Sequence, residues 1–364
     1  MKIAIHAPRV SYYMGGAERY IINYTKELKN LGEDVYLITY DAPEKSEWFK
    51  EFKKKFKGKI ILIKSKKIDL QFKKFQNATK PLLWDKESLL FGNESKSFYE
   101  KKHFDLIVLH YNVDCINIYK KDKLCLHLHG LPDKARKIER KAVKVPNKII
   151  AVSNYVAEGW KKLYRINKKI SIIHNGINFK KIGKINKKID VLFFGRIIKI
   201  KGVDTLIRSI KILKINIKNI NVKIIGDGPE RKHLMLLAKK LKLSKDIEFT
   251  GKISDQKLTK NISEAKISVF PSYAREGVMT TILEASLLGS GIIAANACSN
   301  KEFIKNNYDG LLFESKNPSD LAKKIKKLLL NENLRMKLIK NSRQKLSNFS
   351  WNKQTKKILK VYQK

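Results

Sequence analysis

Short apolar runs alternate with stretches whose apolar positions recur every three or four residues, almost from one end of the chain to the other. The runs predict strands at residues 2–7, 35–39, 59–63, 105–110, 124–128, 148–152 and 170–173. After a lysine-rich connector at 179–188, the alternation starts afresh with strands at 190–194, 222–225, 247–249, 267–270, 291–295 and 311–313. The intervening pattern predicts helices such as 17–31, closed by Gly32, 155–164, and 280–288, closed by Gly289. Strands that alternate with helices specify α/β folding with parallel sheets, here two doubly wound, Rossmann-like domains. Their expected boundaries are 1–180 and 189–346, with a terminal helix in 347–364 packing back toward the first domain. Facing strand ends would form an interdomain cleft, where such sheets bind ligands.

The length of 364 residues agrees with two domains, each large enough to bury a core without disulfides or metal. Cys115, Cys125 and Cys298 are odd in number and lack ligand spacing, which points to core positions in a reducing cytoplasm and away from zinc. The first residues form too short an apolar run for a signal peptide, and no stretch approaches the ~18 apolar residues of a spanning helix. A cytoplasmic protein, soluble or peripheral on the inner membrane face, is expected.

The net charge of +44 suggests a polyanionic partner, nucleic acid or an anionic membrane. Lysine, however, outnumbers arginine 67 to 11 and is spread over both halves, whereas nucleic-acid readers favour arginine forks and interleaved aromatics. Nucleic acid is therefore disfavoured. One local patch stands out: Trp48, Phe52 and Phe56 fall on one helical face with Phe49 beside them and lysines around the rest. Such a stripe either anchors at an anionic bilayer or faces a core with a solvated back. Residues 50–80 hold 12 lysines against two acids, which tilts the reading toward the membrane.

Several motifs fall at strand-to-helix junctions. Gly15-Gly16 immediately precedes a helix and lets the backbone approach a phosphate or sugar closely. Arg196 and Lys201 flank the turn after the first strand of the second half, where two cations could neutralise a leaving diphosphate. Glu276 stands on the loop after the strand at 267–270, and Glu284 lies in the helix that follows. Unpaired N–H groups at that helix start suit a phosphate, and the carboxylates suit sugar hydroxyls. His127 and His129 fall on one face of a strand and its extension.

Taken in order, GGAE (15–18), HGLP (129–132), AVS (151–153), HNGI (174–177), FGRIIKIKG (194–202), IGDGPE (225–230), FTG (249–251), the Glu276/Glu284 pair and DGLLF (309–313) resemble the retaining glycosyltransferases of family 4, with the GT-B fold. The resemblance spans nearly the whole chain. It implies a nucleoside diphosphate sugar donor held mainly by the second domain and an acceptor held mainly by the first. By resemblance Arg196 and Lys201 hold the diphosphate, and Glu276 meets the sugar hydroxyls. Backbone amides of Gly277, Val278, Met279 and Thr280 meet sugar and phosphate, and Glu284 meets the ribose. Gly15 and Gly16 pass close to the diphosphate, and His129 lines the sugar pocket near the anomeric carbon. No metal or other cofactor is implied, and no Asp-x-Asp motif or histidine cluster is present to hold one. The chain departs from the family pattern at Gly291, often proline, at Cys298-Ser299, often Gly-Gly, and at Asn178, often aspartate.

The expected activity is transfer of a hexose-type sugar to a hydroxyl of a lipid-linked or cell-envelope glycan, forming an α linkage. A nucleotide-sugar epimerase of related architecture and a catalytically idle basic adaptor are the alternatives, and the two charged pairs together favour transfer.

Overall fold

The computed structural model describes residues 1–77, 81–118, 122–179, 186–275, 277 and 280–364. The chain divides into two compact units, Met1–Gly176 with Trp351–Lys364, and Ile177–Ser350. The terminal segment expected at 347–364 is thus split: the 3₁₀ turn Ser347–Phe349 stays with the second unit, and the helix Trp351–Gln363 belongs to the first.

In the first unit, β1 (Lys2–His6), β2 (Asp34–Tyr40), β3 (Lys59–Ile63), β4 (Leu106–Leu109), β5 (Leu124–Leu128), β6 (Lys148–Ala151) and β7 (Ile170–Ile172) form one parallel sheet in the order β3-β2-β1-β4-β5-β6-β7. The second unit carries β8 (Ile189–Phe194), β9 (Val222–Ile225), β10 (Ile247–Gly251), β11 (Ala265–Phe270), β12 (Gly291–Ala295) and β13 (Leu311–Phe313), ordered β10-β9-β8-β11-β12-β13 and again parallel. Helices cover both faces, so the strands read as continuous apolar runs. In β8, Val191 and Phe193 enter one core and Leu192 and Phe194 the other. Each order reverses once, between β1 and β4 and between β8 and β11, and those are the positions where open α/β sheets bind ligands.

The helix Trp351–Gln363 packs on the helix Gly16–Asn30: Tyr24 and Tyr362 share a hydroxyl hydrogen bond of 2.6 Å, and Trp351 lies edge-on to Tyr20 at 5.2 Å. Gly176 of the HNGI motif permits this, because a Cβ there would lie 2.4 Å from Trp351 Cδ2.

The aromatic stripe belongs to the core, which corrects its reading as a membrane anchor. The helix Glu47–Lys55 starts at Ser46, whose Oγ accepts from Phe49 N–H at 3.2 Å. Phe49 is fully buried and Phe52 nearly so, both within the first unit's core, while Trp48 and Phe56 pack against it half-buried. Lys53, Lys54 and Lys55 remain in solvent. Apolar burial of Phe49 and Phe52, worth about 1.5–3 kcal/mol each, holds the helix to the sheet and leaves no aromatic face for lipid.

Candidate active site

Backbone rather than side chains builds the strand ends of the second unit. Gly202, at φ 64°, closes the 3₁₀ turn Lys199–Lys201, and a Cβ on it would lie 2.3 Å from Pro271 O. Gly226, at φ 136°, approaches β8 so closely that a Cβ would sit 1.9 Å from Gly195 O. Only glycine meets both demands. The loops after β8 and β11 are joined directly, Tyr273 N–H donating to Ile200 O at 3.1 Å. This joint brings the loop bearing Arg196 and Lys201 beside the one that leads to Gly277, Thr280 and Glu284. Arg196 is exposed, its guanidinium without an ion-pair partner among the described residues, and Lys201 is half-buried. Thr280 opens the helix Thr280–Leu287, and Glu284 lies half-buried one turn inside it. Glu276, Val278 and Met279 lie outside the described residues.

Side chains dominate the corresponding place in the first unit. Gly15 is the N-cap of the helix Gly16–Asn30, and the Glu18 carboxylate folds back to accept from Gly15 N–H at 2.9 Å. The same carboxylate accepts from the Tyr111 hydroxyl, and burial raises its pKa. Gly16 is exposed, with open space where a Cβ would stand. Tyr111 lines a cavity of about 180 Å³ together with Arg9, Trp84, His110, His129 and Arg136. Arg9 is buried, stacks on Tyr111 at 4.3 Å, and donates from Nε to Glu87 Oε2 at 2.8 Å. Glu87 also accepts from the Tyr12 hydroxyl. Arg136 pairs with both Asp85 and Glu139. Asp114, fully buried nearby, is pushed up to about 8 by desolvation.

His129 follows β5 directly and is half-buried on the cavity wall. Its Nε2 shares a 3.1 Å hydrogen bond with Nδ1 of His110, at the end of β4. His127, on the same face, is held between Tyr20 at 3.1 Å and Tyr362 at 2.8 Å. Burial lowers all three histidines, His129 to about 4. His127 and His129 both line the cavity, but His127 is almost fully buried with both ring nitrogens bonded, whereas His129 is only half-buried.

Of the described site residues, Arg196, Lys201, Gly277, Thr280 and Glu284 belong to the second unit, on the segments that follow β8 and β11, and Gly15, Gly16 and His129 belong to the first, after β1 and β5. Sequence reasoning missed Arg9, Asp85, Glu87, His110, Tyr111, Arg136 and Glu139. The three carboxylates and two arginines come in at unremarkable spacings, and the signal for His110 was its place at the end of a strand beside the expected site.

Comparison with known families decides the class. The model described as Glycosyltransferase Family 4 matches residues 14–181, and that described as Glycosyl transferases group 1 matches residues 175–345. The chain belongs to the family 4 glycosyltransferases. An uncharacterized glycosyltransferase of Methanocaldococcus jannaschii is 29% identical over 98% of this chain and 97% of its own length. The N,N'-diacetylbacillosaminyl-diphospho-undecaprenol alpha-1,3-N-acetylgalactosaminyltransferase of Campylobacter jejuni is 32% identical over 47% of this chain and 43% of its own. Among solved structures, Anabaena HepE in complex with UDP and glucose matches with a TM-score of 0.76 at 17% identity, covering 100% of this chain and 99% of that one. The two sheets are those of the GT-B fold.

This glycosyltransferase's departures from the family pattern have local consequences. Cys298 sits at φ 55°, in the left-handed region that glycine enters without strain, so the residue bears a backbone cost that glycine would not. Gly291, in β12, faces Lys266 O and Arg335 Cγ, each 3.3 Å from where a Cβ would stand, which leaves little room for a larger residue.

Proposed function

We propose that this glycosyltransferase moves a hexose-type sugar from a nucleoside diphosphate to a hydroxyl of a lipid-linked or cell-envelope glycan, with retention and an α-glycosidic product. The observation that supports the reading is the joined pair of loops after β8 and β11 at the sheet's switch point: one bears Lys201 and Arg196, whose guanidinium has no ion-pair partner among the described residues, and the other leads to the helix Thr280–Leu287. Arg196 and Lys201 neutralise the diphosphate as it leaves. Glu276 orients the sugar through its hydroxyls, and the amides of Gly277, Val278, Met279 and Thr280 meet sugar and phosphate. Glu284 takes the ribose, Gly15 and Gly16 approach the diphosphate, and His129 lines the sugar pocket. The acceptor oxygen bonds to the anomeric carbon on the face from which the phosphate oxygen departs, and that phosphate oxygen takes the acceptor's proton. No protein nucleophile and no metal enter this scheme.

The complex of HepE with UDP and glucose supports a nucleoside diphosphate sugar as donor, and the name of the Campylobacter relative supports a lipid-linked acceptor. Family membership favours transfer over an epimerase or an idle adaptor. Among the described residues no helix is long and apolar enough to cross a membrane. Support for a peripheral site on an anionic membrane moves from the aromatic stripe to Leu70 and Leu82, 87% and 77% exposed, near the exposed Lys66, Lys67, Lys73 and Lys74.

Thermal unfolding with UDP-, GDP- and ADP-sugars tests the donor class, since a ligand at ~100 times its dissociation constant stabilises by roughly 2.7 kcal/mol. One nucleotide series should raise the midpoint; no shift with any of them would refute the reading.

A further inference from the structure

We propose that His110 is a positioning residue that fixes the tautomer of His129, keeping the proton of His129 on Nδ1, so that His129 meets the occupant of the cavity as a neutral hydrogen-bond donor. The inference rests on the reading of His129 as a sugar-pocket residue, and it adds which chemical form that residue takes.

His110 Nδ1 and His129 Nε2 lie 3.1 Å apart, nearly parallel rings with centroids at 5.3 Å, so one nitrogen must carry the shared proton and the other must accept it. His110 is 4% exposed, and its second nitrogen, Nε2, is buried without a partner. If His129 donated, the proton of His110 would have to sit on that buried Nε2, stranding an N–H among the rings of Tyr20, Tyr24 and His127. If His110 donates, what is left unpaired is a lone pair. Buried N–H groups without acceptors are rarer in folded proteins than under-used acceptors, and the stranded donor forfeits its only bond. The second arrangement therefore holds, and it leaves His129 with an N–H at Nδ1 on the cavity side. Burial lowers both rings well below neutrality, His129 to about 4, so neither is an imidazolium near pH 7.

A donor at this place does a different job from a base. A neutral N–H can hold a sugar hydroxyl oxygen, fixing the ring without taking a proton from it, which agrees with a transfer in which the leaving phosphate accepts the acceptor's proton. The arrangement is also the reverse of what a free histidine prefers, since a neutral imidazole in water carries its proton mainly on Nε2.

Nitrogen NMR of the uniformly ¹⁵N-labelled full-length protein at pH 7 reads this without substrate, with His129 assigned by the signal lost in His129→Gln. The expected spectrum shows His129 protonated at Nδ1 and bare at Nε2. His110→Asn, which keeps an N–H in place of Nδ1, should preserve that pattern, and His110→Phe should move the His129 proton to Nε2. An Nε2-protonated or doubly protonated His129 in the wild type overturns the proposal. So does an unchanged pattern in a folded His110→Phe. If His110→Phe does not fold, the wild-type and His110→Asn spectra decide. In transfer assays His110→Phe should lower kcat several-fold with little change in donor KM, and His110→Asn should restore it. Unchanged transfer in His129→Gln, alongside an Nδ1-protonated spectrum, would remove the sugar-pocket role and leave the tautomer assignment standing.

Discussion

The two sheets reverse their strand order in the same way yet fill the reversal differently. Around β8 the chain brings backbone to backbone, with Gly202 against Pro271 on the β11 side and Gly226 against Gly195 on the β9 side, and leaves Arg196 in solvent. Between β1 and β4 it buries charge, with Arg9 on Glu87, Glu18 under Tyr111, Asp114 without exposure, and four histidines, His6, His110, His127 and His129, kept neutral by desolvation. The difference teaches which charges are free to bind. A buried ion must be paired to persist, so Arg9, held by Glu87 behind it, serves as part of a cavity wall. An exposed cation on a loop fixed by glycine contacts has its charge still available for a ligand.

The sharpest break in the comparison comes from opposite variants. Glu87→Ala leaves the Arg9 guanidinium buried without its ion-pair carboxylate, so it should cost about 3–5 kcal/mol of stability in denaturant unfolding. Arg196→Ala should leave the unfolding midpoint in place. A midpoint shift of the same size in both variants would mean that the two strand ends are not built on different principles.

Catalysis should invert that order. Arg196→Ala or Lys201→Ala should lower turnover roughly 100-fold, the effect of one lost electrostatic stabiliser of developing charge. Near-normal rates in both would remove the diphosphate assignment. Glu276→Gln should mainly slow transfer and Glu284→Gln mainly weaken binding of the free nucleoside diphosphate by calorimetry; equal affinity losses would contradict the division between sugar and ribose.

A smaller effect, readable only against pH, sharpens the buried side. Burial raises Asp114 from an ordinary carboxylate value to about 8, so the folded state holds a proton that the unfolded chain has already lost. This contribution to stability is present at low pH and is lost as pH rises from near 4 through 8. Asp114→Asn, which cannot ionise, should match the wild type near pH 4 and gain on it steadily up to pH 8, then level off. A gap independent of pH would show that Asp114 is ionised throughout. Smallest of all is the expected change at the surface: Leu70→Ser with Leu82→Ser should reduce sedimentation with anionic vesicles without altering the melting temperature, and unchanged sedimentation would leave the peripheral site elsewhere.

How much of this was legible depended on whether the deciding contact was local. The strands were readable because both faces of each sheet are covered, which makes β8 or β12 an unbroken apolar run. The second unit's strand-end turns were readable because backbone-built turns demand glycine at fixed places, and Gly202 and Gly226 announce themselves. The helix Pro81–Lys101 was not readable: it buries Asp85, Ser88, Gly92, Ser95 and Tyr99 along one face, so its inward side is mostly polar and shows no apolar stripe. Its partners, Arg9 and Arg136, stand far away in sequence. The stripe at Trp48, Phe49, Phe52 and Phe56 misled for a related reason. An aromatic face bordered by lysines is the same pattern whether it meets lipid or a sheet, and only the packing of Phe49 and Phe52 against the first unit's core distinguishes the two.

The central claim, transfer with retention through a site that needs only protein cations, meets its most direct test in the first product formed. Proton NMR during turnover, with a nucleoside diphosphate sugar, a polyprenyl diphosphate-linked saccharide and excess EDTA, reports the anomeric configuration before any equilibration. The account predicts an α-linked product from an α-configured donor at an undiminished rate. A β-linked product, or activity that vanishes in EDTA and returns with Mg²⁺ or Mn²⁺, would contradict it.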